Sequence, residues 1–299
     1  MDSAPDEALD LGPPRLRPDL PLSVALGAGS VRGLAHVGVL QALLAGGFRI
    51  TELVGTSVGG VVLAFYAAVG LDLESIGNAG LSLKSQHLLM WVLLRHAPPG
   101  LRGRLRRFAG VIPDHLDRLA AASFDRMHHG VQRIGIVAHD AATHQEVLCH
   151  SVQPVLRLED AVRGAAALPG VFPAWKCTYA GRPYRLVDGG VTNRLPADVL
   201  FRPPFAPVQV LAVDISSRLP DRRTNFARIV ALRRQFPGTA IDMLCADTLG
   251  GATVVYRSGY LSNLLDSGRR SAQRYLSGLS GSAASPPGPR IGHPQCPPT

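Results

Sequence analysis

A serine between two glycines is the candidate nucleophile of this chain. The run consists of Gly55, Thr56, Ser57, Val58 and Gly59. It follows an apolar β-type stretch and precedes an apolar helical stretch, and glycines two residues before and after a serine on such a turn are typical of a nucleophile elbow. The turn is so tight that the serine takes a strained backbone, and larger side chains at the glycine positions would collide. The pattern alone also fits an ordinary strand-to-helix turn.

An aspartate at the end of a later apolar strand is the candidate base. Asp188 follows residues 184–187 and precedes Gly189 and Gly190. A serine hydroxyl is a poor nucleophile and needs a base within hydrogen-bond reach. The two glycines would let this backbone come close to the serine. Because Asp-Gly also commonly forms a turn in which the aspartate caps its own backbone, the motif alone leaves both interpretations open.

A glycine-rich loop could bind an anion. It comprises Gly27, Ala28, Gly29, Ser30, Val31, Arg32 and Gly33, directly after one strand and at the start of a helix. Its amides could stabilise the oxyanion of a tetrahedral intermediate or the phosphates of a nucleotide. A dinucleotide fingerprint needs a glycine where Arg32 stands and an acidic residue at the end of the next strand, which ends instead at the elbow. The oxyanion hole is therefore favoured.

The histidines do not offer a third catalytic group. Ten are present, but none lies in a late loop after a strand, where α/β hydrolases carry the histidine of their triad. His36 is the closest in sequence to the glycine-rich loop, and we expect it to pack on its own helix. The pattern therefore favours a Ser-Asp dyad.

The hydrophobic pattern supplies elements that would bring these motifs together. A strand over 22–26, a helix over 33–45, the elbow strand and the elbow helix give βαβα spacing, which predicts a parallel sheet with helices on its faces. The glycine-rich loop and the elbow would then both lie at the carboxyl ends of neighbouring strands, where such sheets bind ligands. Further elements are an irregular helical stretch over 72–128, a hairpin of strands 133–138 and 146–149, a helix over 158–163, last strands at 184–187 and 208–213, and a closing helix over 266–276.

The composition is typical of a globular protein. The 299 residues are 46% hydrophobic, with 32 glycines and 24 prolines, which predicts a sizeable core. The four cysteines are scattered, so we expect thiols in a reducing cytosol rather than a disulfide framework or a metal site. No apolar run could span a membrane and the acidic N-terminus lacks the features of a signal peptide. We expect a cytoplasmic protein that contacts the inner membrane face at most peripherally.

The net charge of +9 is carried almost wholly by arginine and suits anionic partners. In the range 88–107 an apolar stretch with Trp91 lies beside clustered arginines. Such a segment either lies in an anionic membrane interface, as a lid or docking surface, or packs on the core with its arginines solvated. Both interpretations stay open, and no nucleic-acid partner is expected.

Four motifs in this order resemble those of the patatin-like phospholipases, above all the small bacterial members of that family. They are the loop and helix start at 27–40, the elbow at 55–59, the Leu-Pro-Gly-Val-Phe-Pro run at 168–173, and the Asp-Gly-Gly run at 188–190. The resemblance extends over residues 20 to 275. It implies a three-layer α/β/α fold with a mostly parallel central sheet, in which a Ser-Asp dyad hydrolyses acyl esters of lipids.

The resemblance also assigns roles by position. It makes Ser57 the nucleophile and Asp188 the base, and it implies that the amides around Gly29 and Ser30 form the oxyanion hole while Arg32 braces that loop. Many family members have glycine where Ser30 stands, so this backbone has less freedom, although its amide remains. Ala28 also departs from the frequent glycine or serine, with no expected effect.

We therefore expect a hydrolase that cleaves phospholipids, lysophospholipids or related lipid esters with neither a cofactor nor a metal. The alternative is a catalytically silent regulatory protein that binds lipid or a partner on the same fold, although it would have no physical need for Ser57. The expected organisation is a flexible arm over 1–20, a catalytic domain over 21–278 and a disordered tail rich in Pro, Gly and Ser over 279–299.

Overall fold

The strands form one twisted layer between two layers of helices. A computed structural model describes residue 11 and residues 15–84, 86–87, 90, 106–248 and 259–282. Within these residues the strands are β1 (Pro21–Leu26), β2 (Arg49–Thr56), β3 (Arg133–Asp140), β4 (Gln145–His150), β5 (Trp175–Tyr179), β6 (Arg182–Asp188), β7 (Gln209–Asp214) and β8 (Ala240–Cys245). The helices are α1 (Gly33–Ala45), α2 (Val58–Leu63), α3 (Leu73–Ser82), α4 (Ile112–Ala121), α5 (Leu158–Ala165), α6 (Leu219–Gln235) and α7 (Tyr260–Ser282).

The sheet is mostly parallel. Its order is β5-β6-β3-β2-β1-β7-β8, with β4 paired to β3 beside this path. The strands β3, β2, β1, β7 and β8 run parallel to one another, whereas β4 and β6 run antiparallel to β3. The carboxyl ends of β1 and β2 therefore lie side by side, with Leu26 opposite Gly55. Strand β6 enters from the opposite direction and brings Asp188 level with Ala138 of β3.

Both faces of the sheet are covered, which explains the near-continuous apolar run of β1. Successive side chains of a strand point to opposite faces. Val24 and Leu26 belong to the larger core cluster, which includes residues of α1, α2, α5 and α7. Ala25 belongs to the cluster on the other face, together with Ile229 and Leu232 of α6. This arrangement confirms the three-layer α/β/α fold.

Most of the predicted elements are present, but the last part of the domain was predicted wrongly. The prediction made residues 208–213 the last strand, whereas α6 and β8 follow it. Helix α6 is rich in arginine and lacks a clear apolar stripe, and β8 interrupts its apolar residues with the buried Asp242. The edge strand β5 was also missed, because its alternating exposure leaves little apolar signal.

The two ends of the domain differ from the expected boundaries. Within the predicted arm over 1–20, Leu16 is buried, and the amide of Arg17 donates to the side chain of Gln209 at 2.8 Å. The closing helix α7 extends from Tyr260 to Ser282, into the range 279–299 predicted as a tail. Leu16, Arg17 and Leu279 contact residues that are remote in sequence, and local composition does not reveal such contacts.

The arginine-rich segment over 88–107 lies, apart from residues 90, 106 and 107, outside the described residues. Neither of its two interpretations is tested. Across the part of the chain that the structure describes, no helix is both long enough and apolar enough to cross a bilayer.

Candidate active site

Ser57 lies on a strained turn between β2 and α2. Its backbone has φ 57° and ψ −130°, a left-handed conformation that costs a non-glycine residue about 1–3 kcal/mol. The carbonyl of Ser57 already accepts the first helical hydrogen bond, from the amide of Val61 at 3.2 Å. The side chain therefore projects from the start of α2, as the elbow pattern predicts.

The two glycines of the elbow are required by close approach of the backbone. A Cβ atom on Gly55 would lie 2.5 Å from the carbonyl carbon of Gly59, and one on Gly59 would lie 2.2 Å from the carbonyl oxygen of Leu26. Both distances are shorter than real Cβ contacts, and the neighbouring atoms are backbone that cannot move aside. The spacing of the motif therefore follows from the crossing of β1, β2 and α2.

The structure brings Ser57 and Asp188 into direct contact. The Ser57 hydroxyl donates a hydrogen bond of 2.5 Å to Oδ2 of Asp188, and both side chains are buried. The other carboxylate oxygen, Oδ1, accepts from the amide of Gly190 at 2.8 Å. The amide of Asp188 in turn donates to the carbonyl of Ala167 at 3.0 Å. Asp188 thus caps its own turn and also accepts a hydrogen bond from Ser57. The two interpretations of its motif, a turn aspartate and a partner of the serine, are therefore compatible.

The surroundings of Asp188 shift its pKa. Burial raises the pKa of this carboxyl above its ordinary value, although the hydrogen bonds from Ser57 and Gly190 and the charge of Arg194 oppose the rise. A higher pKa means a more basic carboxylate, which takes a proton from a hydroxyl more readily.

The glycine-rich loop lies against the elbow and the aspartate turn. A Cβ atom on Gly33 would lie 2.2 Å from Cγ2 of Val58, and one on Gly190 would lie 3.1 Å from Cβ of Ala28. The structure therefore brings the three motifs together, although Ser57 and Asp188 are 131 residues apart in the sequence.

The amides of the loop divide into two groups. Those of Gly27 and Ala28 donate to the carbonyls of Val213 at 3.1 Å and Arg194 at 2.7 Å, so they fix the loop. This excludes them as oxyanion donors, although both belong to the predicted hole. The amides of Gly29 and Ser30 remain the predicted donors. Ser30 adopts a φ of 52°, the left-handed conformation for which glycine is favoured.

Two buried side chains hold the loop from behind. Nε of Arg32 donates to the carbonyl of Ile215 at 3.0 Å. The ring of His36 lies with Nε2 at 2.8 Å from the carbonyl of Gly27, and because a carbonyl only accepts, Nε2 carries the proton. Burial lowers the pKa of His36 to about 4, so the ring is neutral near pH 7. Sequence reasoning missed this contact, although a histidine three residues into the helix after such a loop is a usable signal.

An apolar cavity of about 350 Å³ opens beside Ser57 and Asp188. Its size is at the lower end for small-molecule sites. One wall follows the exposed side of α2 and its continuation to Phe65, and others come from α1, α3, α4 and the 168–173 run. The lining includes Ser57, Asp188, Val58, Val61, Val62, Phe65, Leu34, Val37, Ile76, Leu83, Ile112, His115, Leu116, Leu168, Val171, Phe172 and Trp175. Within the described residues, no group of three or more His, Cys, Asp or Glu side chains could hold a metal ion.

The structure thus defines an α/β/α protein that carries a serine on a strained strand-to-helix turn, in contact with an aspartate. The sequence model of the patatin-like phospholipases matches residues 24–201, which is more than half of the chain. The chain belongs to the patatin-like phospholipase family. This result confirms the predicted family.

Individual relatives are similar over part of their length. Neuropathy target esterase sws of Drosophila melanogaster is 24% identical over 206 residues, which cover 69% of this chain and 14% of that protein. An uncharacterised NTE-family protein of Mycobacterium tuberculosis is 29% identical over 182 residues, 60% of this chain and 28% of that protein. The chain therefore spans less than a third of these relatives.

A solved structure supports the fold. VipD from Legionella pneumophila superposes with a TM-score of 0.50 at 13% identity, over 86% of this chain and 66% of that one.

Proposed function

We propose that this chain is a serine acyl hydrolase in which Ser57 and Asp188 form the catalytic dyad. The observation that carries the proposal is the 2.5 Å hydrogen bond from the Ser57 hydroxyl to Asp188 on the wall of an apolar cavity. The strained backbone of Ser57 lowers the stability of the fold, and glycine at this position would remove the strain. A protein that only binds lipid or a partner would gain nothing from keeping the serine. Membership of a family of lipid hydrolases supports the same conclusion.

The dyad would act in two steps. Asp188 takes the hydroxyl proton while Oγ of Ser57 attacks the ester carbonyl, and the amides of Gly29 and Ser30 stabilise the oxyanion that forms. The intermediate collapses as Asp188 returns the proton to the leaving alcohol, which leaves an acyl-serine. A water molecule, deprotonated by Asp188, then attacks the acyl carbon. The bond between this carbon and Oγ of Ser57 breaks, Oγ regains its proton from Asp188, and the fatty acid leaves.

The substrate we propose is a lipid ester, such as a phospholipid or lysophospholipid. The cavity wall is apolar almost throughout, and burial of an acyl chain there would contribute about 0.8 kcal/mol for each methylene removed from water. The net charge of +9 would favour esters presented on an anionic membrane. A peripheral membrane contact through residues 88–107 belongs to this proposal.

The proposal is tested by ester hydrolysis with variants of two buried serines. Ser57→Ala should abolish turnover of acyl esters. Ser23→Ala is a matched control, because the Ser23 hydroxyl also donates to a buried carboxylate, Glu52 at 2.8 Å, near the opposite edge of the sheet. The control should keep wild-type turnover. Equal turnover by wild type and Ser57→Ala would contradict the proposal and favour a silent lipid-binding protein, which would still bind vesicles.

A further inference from the structure

A closed ring of four polar side chains lies next to the turn that carries Asp188. Nδ2 of Asn193 donates to Glu146 at 3.0 Å and to Asp198 at 2.9 Å. Arg202 closes the ring from the solvent side: its Nη1 donates to Glu146 at 2.7 Å and its Nη2 to Asp198. Glu146 belongs to β4, and Asp198 belongs to the 3₁₀ segment Ala197–Phe201. The ring thus ties Asn193 to two elements outside its own loop.

The buried Asn193 is connected to both halves of the active site through its backbone. Its amide donates to the carbonyl of Gly189 at 2.9 Å, the first residue of the 3₁₀ turn that follows Asp188. The carbonyl of the next residue, Arg194, accepts the 2.7 Å hydrogen bond from Ala28 in the glycine-rich loop. The short segment 193–194 therefore supports both the turn that follows Asp188 and the glycine-rich loop.

The side-chain nitrogen of Asn193 suits this place chemically, whereas its Oδ1 is buried without a hydrogen-bond partner among the described residues. Each of the two hydrogens on Nδ2 meets one carboxylate, and hydrogen bonds to ionised acceptors are among the stronger ones. Arg202 offsets the repulsion between Glu146 and Asp198. Without the amide, these carboxylates would hold Arg202 but would no longer hold the segment over 189–194.

We propose that Asn193 is a positioning residue of the hydrolase, fixing Asp188 and the oxyanion loop in register through its ring with Glu146, Asp198 and Arg202. This proposal rests on the proposed function. Asn193 does not contact the reacting atoms. It acts through the geometry of the groups that do, and small displacements of such groups are costly to turnover.

The test compares Asn193→Ala with Gln209→Ala. Gln209 is also a buried amide, with hydrogen bonds to the carbonyls of Arg17 and Leu20 at the opposite edge of the sheet. Asn193→Ala should lower kcat by about 10- to 100-fold, as misplacement by an ångström does, with KM nearly unchanged. The rate of phosphonylation of Ser57 by a fluorophosphonate should fall in parallel. Gln209→Ala should lower the melting temperature and leave kcat unchanged.

Other outcomes separate the two proposals. An unchanged kcat in Asn193→Ala, with a melting temperature lowered as in Gln209→Ala, overturns the positioning role and leaves the hydrolase intact. A wild-type rate no higher than that of Ser57→Ala overturns the proposed function and the positioning role with it. Should Asn193→Ala fail to fold, Arg202→Gln opens the ring from its exposed side. A lowered kcat with unchanged KM then supports the role, and an unchanged kcat overturns it.

Discussion

Replacement of Asp188 by asparagine separates the catalytic from the structural role of this side chain. Asparagine keeps the shape of aspartate, and its Oδ1 can still accept from the amide of Gly190, as the carboxylate does at 2.8 Å. Its amide nitrogen, however, cannot take the proton of Ser57. Removing a general base costs about 10²- to 10⁴-fold in rate, equivalent to roughly 3–5 kcal/mol of transition-state stabilisation. We expect kcat to fall within this range.

The same substitution should not lower stability at neutral pH. Burial raises the pKa of Asp188 in the folded chain, and a raised carboxyl pKa contributes stability that is present below the unfolded pKa and lost as pH rises through the folded one. Above its folded pKa the buried carboxylate lacks this contribution, whereas the neutral amide of asparagine carries no desolvated charge at any pH. Asp188→Asn should be at least as stable as wild type at pH 7, and this advantage should disappear near pH 4, around the ordinary pKa of aspartate.

The assay combines ester turnover with urea unfolding at pH 7 and near pH 4. Low turnover together with undiminished stability at pH 7 supports the account. A variant that keeps wild-type turnover would refute the assignment of the base. A variant that is less stable than wild type at pH 7 but equally stable at low pH would refute the argument from burial.

Three further predictions follow from the site. The pH profile of kcat/KM should have an acid limb with its midpoint above about 3.9, the ordinary pKa of aspartate, because burial raises the pKa of Asp188; a midpoint below that value would contradict this. Ser57→Gly should be about 1 kcal/mol more stable than Ser57→Ala in urea unfolding, because both variants lose the hydroxyl and only glycine relieves the positive φ; equal stability of the two variants would show that the backbone is unstrained. Gly59→Ala, whose Cβ would lie 2.2 Å from the carbonyl of Leu26, should lose about 1–3 kcal/mol through overpacking; an unchanged melting temperature would contradict the crossing of β1 and α2.

The sequence predicts the elbow and Asp188 because the backbone geometry at each requires glycines close by in the sequence. The glycines at 55 and 59 reflect a backbone crossing within one βα unit, and the glycines after Asp188 accompany a turn formed by neighbouring residues. The family resemblance then joined motifs that spacing alone left ambiguous. The hydrogen bond between Ser57 and Asp188 follows from the antiparallel entry of β6, which no local pattern indicates.

The supports of the site could not be predicted in the same way. His36 was expected to pack on its helix, yet its ring contacts the carbonyl of Gly27. The amides of Gly27 and Ala28 were expected among the oxyanion donors, yet Val213 and Arg194 accept their hydrogen bonds. Each of these contacts depends on which strands become neighbours in the sheet, and the order of strands is a property of the whole fold.

Covalent labelling shows whether the hydroxyl of Ser57 is an activated nucleophile. The protein is treated with a fluorophosphonate, digested, and the modified peptide is identified by mass spectrometry. We expect one phosphonate on Ser57, formed far more slowly in Asp188→Asn. An adduct on a different residue, or none on Ser57 at concentrations that label known serine hydrolases, would contradict this expectation.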